Sequence, residues 1–168
     1  MNNPSVNSVA ILKRQFDPSF EMLCRIVEQC PEEVWHKEEV GSPFWQQVYH
    51  TTYWVDFWLR EEYRQAEFRS LIFTKDVSFE LDKVSRECLT QDESKEYLGR
   101  VQEKLGRFFE MLDDDKLRSP IVEWSGFTYL DAIISQIRHV QYHVGQCNTI
   151  LGFGGLKAVE WVAYNENQ

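Results

Sequence analysis

The chain of 168 residues lacks the features that mark several large classes of protein. It has no apolar run near the roughly 20 residues that a membrane-spanning helix needs. Its 18 basic residues are outnumbered by 27 acidic ones, which gives a net charge of −9. Such a chain repels the phosphate backbone of DNA or RNA. We therefore expect neither a membrane nor a nucleic acid among its partners.

Cysteine is scarce as well, and the four cysteines show no CxxC spacing: Cys24, Cys30, Cys88 and Cys147. The first residues, MNNPSVNSVAILKRQF, do not form a charged leader followed by an apolar core, so they do not resemble a secretion signal. Four thiols in such a chain are expected to be reduced, because disulfides are rare in reducing compartments. We therefore expect a cytoplasmic protein.

Common catalytic motifs are absent too. The carboxylates show neither HExxH nor ExxH spacing, which disfavours a zincin or a di-iron carboxylate site. The glycine-rich stretch at 152–155 follows a predicted helix, so it is a helix stop and not a phosphate-binding loop. No Ser–His–Asp or Cys–His nucleophile pattern is recognisable. Any chemistry must come from another constellation.

What the chain does have is a strong helical pattern. Residues are 43% hydrophobic and 14% aromatic, enough for the core of one domain over residues 1–168. Asp17-Pro18 predicts the start of a first helix that ends before Cys30-Pro31, with a short separate helix or arm before it. Ser42-Pro43 predicts a second helix that continues to about Arg64.

Two further helices follow a stretch without clean periodicity at 66–90, which we interpret as a structured loop. The third helix spans about 91–113 and the fourth runs from about Thr128 to Leu151. Between them, 121–124 predicts a turn or a short extended piece, and the tail carries Val159, Trp161 and Val162 for docking. The pattern predicts an all-α fold, an up-down four-helix bundle with a long crossover loop.

The most informative feature lies in the fourth helix, in SQIRHVQYHVGQCNTIL. His139 and His143 are four residues apart, which places both imidazoles on one face of a helix. Their stripe continues with Gln136 and Cys147 and faces the core, whereas Arg138 and Gln141 lie on the opposite side. Two buried imidazoles need partners for their nitrogens, and one metal ion would satisfy both. The alternative is an ordinary pair of core histidines that bond to carbonyl groups.

His50, in the second helix, is the candidate for a third ligand. Three neutral imidazoles would leave a coordination position open, as catalytic metal sites do. His36 is a poorer candidate because it lies in a loop-like, solvent-exposed region. Cys147 is either a fourth ligand or a small buried hydrophobic residue. Glu61 shares the column of His50 but lies about 16 Å along the helix, too far for a general base.

The pattern His139-x-x-x-His143-x-Gly145-Gln146, with His50 upstream, resembles the DinB/YfiT-like family. That resemblance implies a four-helix bundle, often dimeric, with His50, His139 and His143 as ligands for zinc, nickel or a similar divalent ion. Gln136 and Gln146 are near enough to orient the imidazoles by hydrogen bonds. Characterised relatives include thiol transferases that use bacillithiol or mycothiol.

The resemblance therefore implies a metal-dependent enzyme of thiol S-transferase or hydrolase type that acts on a small-molecule substrate, with a low-molecular-weight thiol as a candidate cofactor. A non-enzymatic, stress-associated metal-binding or interaction protein is the alternative. The second helix is apolar nearly all round from Phe44 to Leu59, more than one bundle core covers. Together with the resemblance, this favours a homodimer.

Overall fold

The computed structural model describes residues 7–38, 41–61, 75–121 and 126–163. Within these ranges the chain forms six helices: α1 Ser8–Gln29, α2 Glu32–Trp35, α3 Phe44–Trp58, α4 Gln91–Glu110, α5 Asp114–Arg118 and α6 Tyr129–Phe153. The same ranges contain no strand, and a single antiparallel bridge joins Pro120 to Thr128. The predicted all-α fold is confirmed.

Helix α1 differs from the prediction at its start. Asp17-Pro18 does not begin it, because the helix already begins at Ser8 and Pro18 lies inside it. The side chain of Asn7 caps it by accepting from the amide of Ala10 at 2.9 Å. Phe16 and Phe20 on either side of the proline are both buried. Their burial offsets the cost of the helical hydrogen bond that proline cannot donate. The predicted separate arm is therefore wrong.

Helices α4 and α6 begin where the sequence indicated. Thr90 and Glu93 form a reciprocal capping box at the start of α4, and Thr128 and Asp131 form another at the start of α6. After α4, residues Asp114–Arg118 form a one-turn helix, α5. Asp113 accepts from two of its amides and so caps it.

Helix α3 begins one residue later than predicted and ends at Trp58, with Leu59 leaving the helical conformation. The predicted continuation to Arg64 is wrong over residues 59–61, which are not helical. Residues 62–64, the loop prediction for 66–74 and most of the predicted extended piece at 121–124 lie outside the described residues. The described part of the loop, 75–89, contains no helix or strand. In the tail, Val159 and Val162 are buried as expected, but Trp161 is exposed.

Contacts between the four long helices give their directions. Phe16 of α1 packs against Phe109 at 5.7 Å between ring centroids, and Gln91 at the start of α4 donates to the carbonyl of Val27. These contacts make α1 and α4 antiparallel. Tyr49 and Tyr97 pair at 6.0 Å.

Farther along the same two helices, Lys104 donates to the carboxylate of Asp56, so α3 and α4 are parallel. Helices α3 and α6 are antiparallel, because Gln47 contacts His143 and Trp58 contacts Phe127. The order is therefore up, down, down, up. The predicted long crossover is the connection between the two parallel helices.

A buried polar cluster joins α3 to α4. The carboxylate of Asp56 is fully buried, and it accepts a hydrogen bond from the hydroxyl of Tyr97 at 2.8 Å. Lys104 donates to the same carboxylate and is itself mostly buried. Burial of such a pair is tolerated because each polar atom has a partner.

The aromatic face of α3 is largely covered by its own chain. Trp45 and Tyr49 are both buried. Phe79 from the crossover stacks on Tyr53 with ring centroids 4.0 Å apart. Half-buried aromatic side chains remain at Trp54, Phe57 and Trp58. Among the described residues, no helix is long and apolar enough to cross a bilayer.

Candidate metal centre

The antiparallel packing of α3 against α6 brings His50, His139 and His143 together. One ligand nitrogen from each histidine lies within 4.8 Å of the other two. The ring centroids are 5.1 Å apart for His50 and His139, 4.7 Å for His50 and His143, and 4.6 Å for His139 and His143. The three residues that the sequence nominated as ligands thus form one compact cluster.

The ring of His50 is oriented by the crossover. Its Nδ1 lies 2.7 Å from the backbone oxygen of Phe79. A carbonyl oxygen can only accept, so Nδ1 carries the hydrogen and Nε2 is left with its lone pair. That lone pair points into the cluster, where Nε2 lies 3.1 Å from Nε2 of His139.

The ring of His143 is oriented by a side chain that the sequence reasoning missed. Nδ1 of His143 lies 2.9 Å from Oε1 of Gln47 in a buried contact. The amide nitrogen of Gln47 donates in turn to the hydroxyl of Ser42 at 2.6 Å. The amide oxygen of Gln47 therefore faces the imidazole, so Nδ1 of His143 carries the hydrogen and Nε2 keeps its lone pair. The signal was a buried glutamine on a helix that is otherwise apolar nearly all round.

His139 is the incompletely paired member. Its Nδ1 is buried and has no hydrogen-bond partner among the described residues. The Oε1 of Gln136, one turn earlier on α6, is also buried and unpaired within the same ranges. Gln146 donates from its amide to the hydroxyl of Tyr142 at 3.3 Å, while its Oε1 is buried without a described partner.

The environment keeps all three rings neutral. Burial lowers the pKa of His50 from its usual value. Burial and the neighbouring His50 lower the pKa of His139 to about 4. Burial and the other two rings lower the pKa of His143 to about 3. Neutral imidazole is the form that binds a metal, so these rings need not lose a proton near pH 7 to do so.

The other candidates lie elsewhere. His36 is exposed, as expected, and approaches Glu32 at 3.7 Å. Glu61 pairs with Arg107 and is half exposed. Cys147 is buried, burial raises the pKa of its thiol, and the described metal-binding group does not include it. This arrangement is that of a small buried hydrophobic residue, the second of the two alternatives for Cys147.

A family model for the DinB superfamily matches residues 15–147. The chain belongs to the DinB superfamily. No curated protein and no solved structure matches it significantly. The matched region of this DinB superfamily member contains α3, α4 and the histidine-bearing part of α6, so all three histidines lie within it.

The residues of this DinB superfamily member fit a divalent metal ion. His50 and His143 are held with Nδ1 protonated and the lone pair of Nε2 available. His139 is close enough to both for the three rings to share one ion. The three-histidine cluster could hold a metal.

Proposed function

We propose that this DinB superfamily member is a divalent-metal-dependent enzyme of thiol S-transferase or hydrolase type. The observation that carries the proposal is the convergence of three neutral imidazoles without a carboxylate or thiolate in the described group. Three protein ligands leave room for a reactant, as in catalytic zinc sites. Imidazole nitrogens suit zinc or nickel among the common divalent ions.

In this proposal, His50, His139 and His143 hold the ion through their free nitrogens. Phe79 orients the ring of His50, and Gln47 orients the ring of His143. Gln136 and Gln146 help to orient the imidazoles from α6. A bound divalent ion supplies Lewis acidity, which lowers the pKa of a thiol or a water molecule that reaches it. The cluster is partly buried, and a charge acts more strongly there than in bulk water.

The resemblance to DinB/YfiT-like thiol transferases favours a low-molecular-weight thiol as the co-substrate and a small electrophile as the acceptor. We further propose that the enzyme works in the cytoplasm as a homodimer. The four cysteines without CxxC spacing support the cytoplasm, and the half-buried aromatic residues of α3 support the homodimer.

The first experiment is elemental analysis of untagged protein, followed by zinc and nickel titration. Wild type and the control His36→Ala should bind one ion per chain, because His36 is exposed and remote from the cluster. His143→Ala should bind none, while its circular dichroism stays helical, because one imidazole contributes little to the aromatic core. Failure of wild type to bind either ion at micromolar concentration would refute the metal site.

A second experiment separates catalysis from simple binding. The metal-loaded protein is mixed with an alkyl halide and a low-molecular-weight thiol, and thioether formation is measured against the His143→Ala variant. A rate that depends on the cluster supports the transferase. One ion per chain with no reaction towards thiols or activated esters favours the alternative, a metal-binding or interaction protein.

A further inference from the structure

A single buried glutamine organises the segment that orients His50. Gln46 is 2% exposed and lies one helical turn before His50 on α3. Its Nε2 lies 2.9 Å from the carbonyl oxygens of both Glu80 and Lys83, and 3.3 Å from that of Ser78. An amide nitrogen has two hydrogens, so the two short contacts are the main bonds.

The clamped segment, residues 78–83, contains the group that sets the tautomer of His50. Phe79 lies between Ser78 and Glu80, and its own carbonyl accepts from Nδ1 of His50 at 2.7 Å. The direction of one carbonyl in a loop without a helix or strand depends on what holds the peptide groups around it. Here those neighbouring carbonyls are turned towards Gln46.

We propose that Gln46 is a positioning residue for the histidine cluster, acting on His50 through the carbonyl of Phe79. Gln47, the next residue, acts on His143 directly. Adjacent glutamines on one helix thus orient different imidazoles, one through a loop and one through its own side chain. The role of this orientation rests on the proposed metal site, whereas the hydrogen bonds themselves do not depend on a metal.

Replacement of Gln46 need not undock the loop. The ring of Phe79 stacks on Tyr53 with the planes 2° apart, and this contact does not involve Gln46. Gln46→Met keeps the length and volume of the side chain and removes both donors. The variant therefore tests the direction of the Phe79 carbonyl more than the position of the loop.

The test is nitrogen-15 NMR of the metal-free protein at pH 7.5, which distinguishes the two neutral tautomers of each histidine. Wild type should show Nδ1–H tautomers for both His50 and His143. Gln46→Met should convert His50 to a mixture and leave His143 unchanged. The matched control Gln47→Met should do the reverse. Gln46→Asn, which keeps the amide but shortens it, should act in the same direction and serves if Gln46→Met does not fold.

An unchanged His50 tautomer in the Gln46 variants would overturn the proposal, and so would equal changes at both histidines, which indicate general loosening. Zinc affinity gives a second readout. Loss of a group that orients a ligand costs about 10–100-fold in metal affinity. The tautomers are measured without metal, so this test is independent of the metal site. The role of Gln46 can be refuted in a protein that binds zinc, and it can be supported in one that does not bind zinc.

Discussion

Acidification should destabilise the metal-free protein through its buried histidines. The pKa of His139 is lowered from 6.5 to about 4, and that of His143 from 6.5 to about 3, chiefly by burial. An unfolded chain binds protons at both rings below pH 6.5, whereas the folded chain does not. Stability is therefore complete above pH 6.5 and decreases as the pH falls towards the folded-state values.

The magnitude follows from the interval that is titrated. At pH 4.5 each ring has passed two pH units below its unfolded pKa and is still mainly neutral in the folded state. Two units correspond to about 2.7 kcal/mol for each ring, or about 5 kcal/mol for the pair. Domains of this size have unfolding free energies of about 5–15 kcal/mol. The pair alone can therefore remove much of the stability of the fold.

Urea unfolding between pH 7.5 and 4.5, in the presence of a chelator, measures this dependence. The double variant His139→Gln/His143→Gln removes both titrating rings and should show a slope smaller by about 2.7 kcal/mol per pH unit near pH 5.5. His36→Gln, which changes an exposed histidine, should keep the wild-type slope. Equal slopes in wild type and the double variant would show that the two rings are not held neutral, and the argument from burial would fail.

Three further predictions concern the rest of the molecule. Asp56→Ala should lower the unfolding free energy by about 3–5 kcal/mol in urea titrations, because Lys104 loses its buried partner. Glu61→Ala, in the exposed pair with Arg107, should cost under about 1 kcal/mol. Similar losses in the two variants would contradict this prediction. Native protein at pH 8 should expose one rapidly reacting thiol to a disulfide reagent, Cys88, because burial raises the pKa of the thiols of Cys24 and Cys30 to about 12 and shields Cys147; two or more fast thiols would be inconsistent with that burial. Light scattering at micromolar concentration should give twice the chain mass of 20.0 kDa, and a monomer would assign the aromatic face of α3 to the chain itself.

Much of the fold could be predicted because local signals and periodicity agree. The capping residues Thr90 and Thr128 and the apolar spacing of α4 and α6 all point to helices, and the structure forms them there. The error at Asp17-Pro18 arose because a local start signal competed with the burial of Phe16, which only the assembled bundle reveals. The i, i+4 spacing of His139 and His143 is sufficient by itself to place both rings on a common helix face.

The rest of the site depends on contacts that sequence spacing does not encode. His50 meets His139 across 89 positions and His143 meets Gln47 across 96. The group that contacts His50 is the backbone carbonyl of Phe79, and the residue type at a position does not predict such a role. Gln46 and Gln47 were visible as polar residues on an apolar helix, but which partner each takes is decided by the packing of the crossover and of α6.

The parallel arrangement of α3 and α4 has a consequence for engineering. A connection between parallel neighbours must return along the bundle, and the returning segment here supplies the backbone oxygen that orients His50. Grafting the three histidines onto a bundle with short hairpin connections would reproduce the ligands but leave His50 free to rotate. A faithful transplant needs the crossover, with Gln46 to clamp it, as part of the minimal unit.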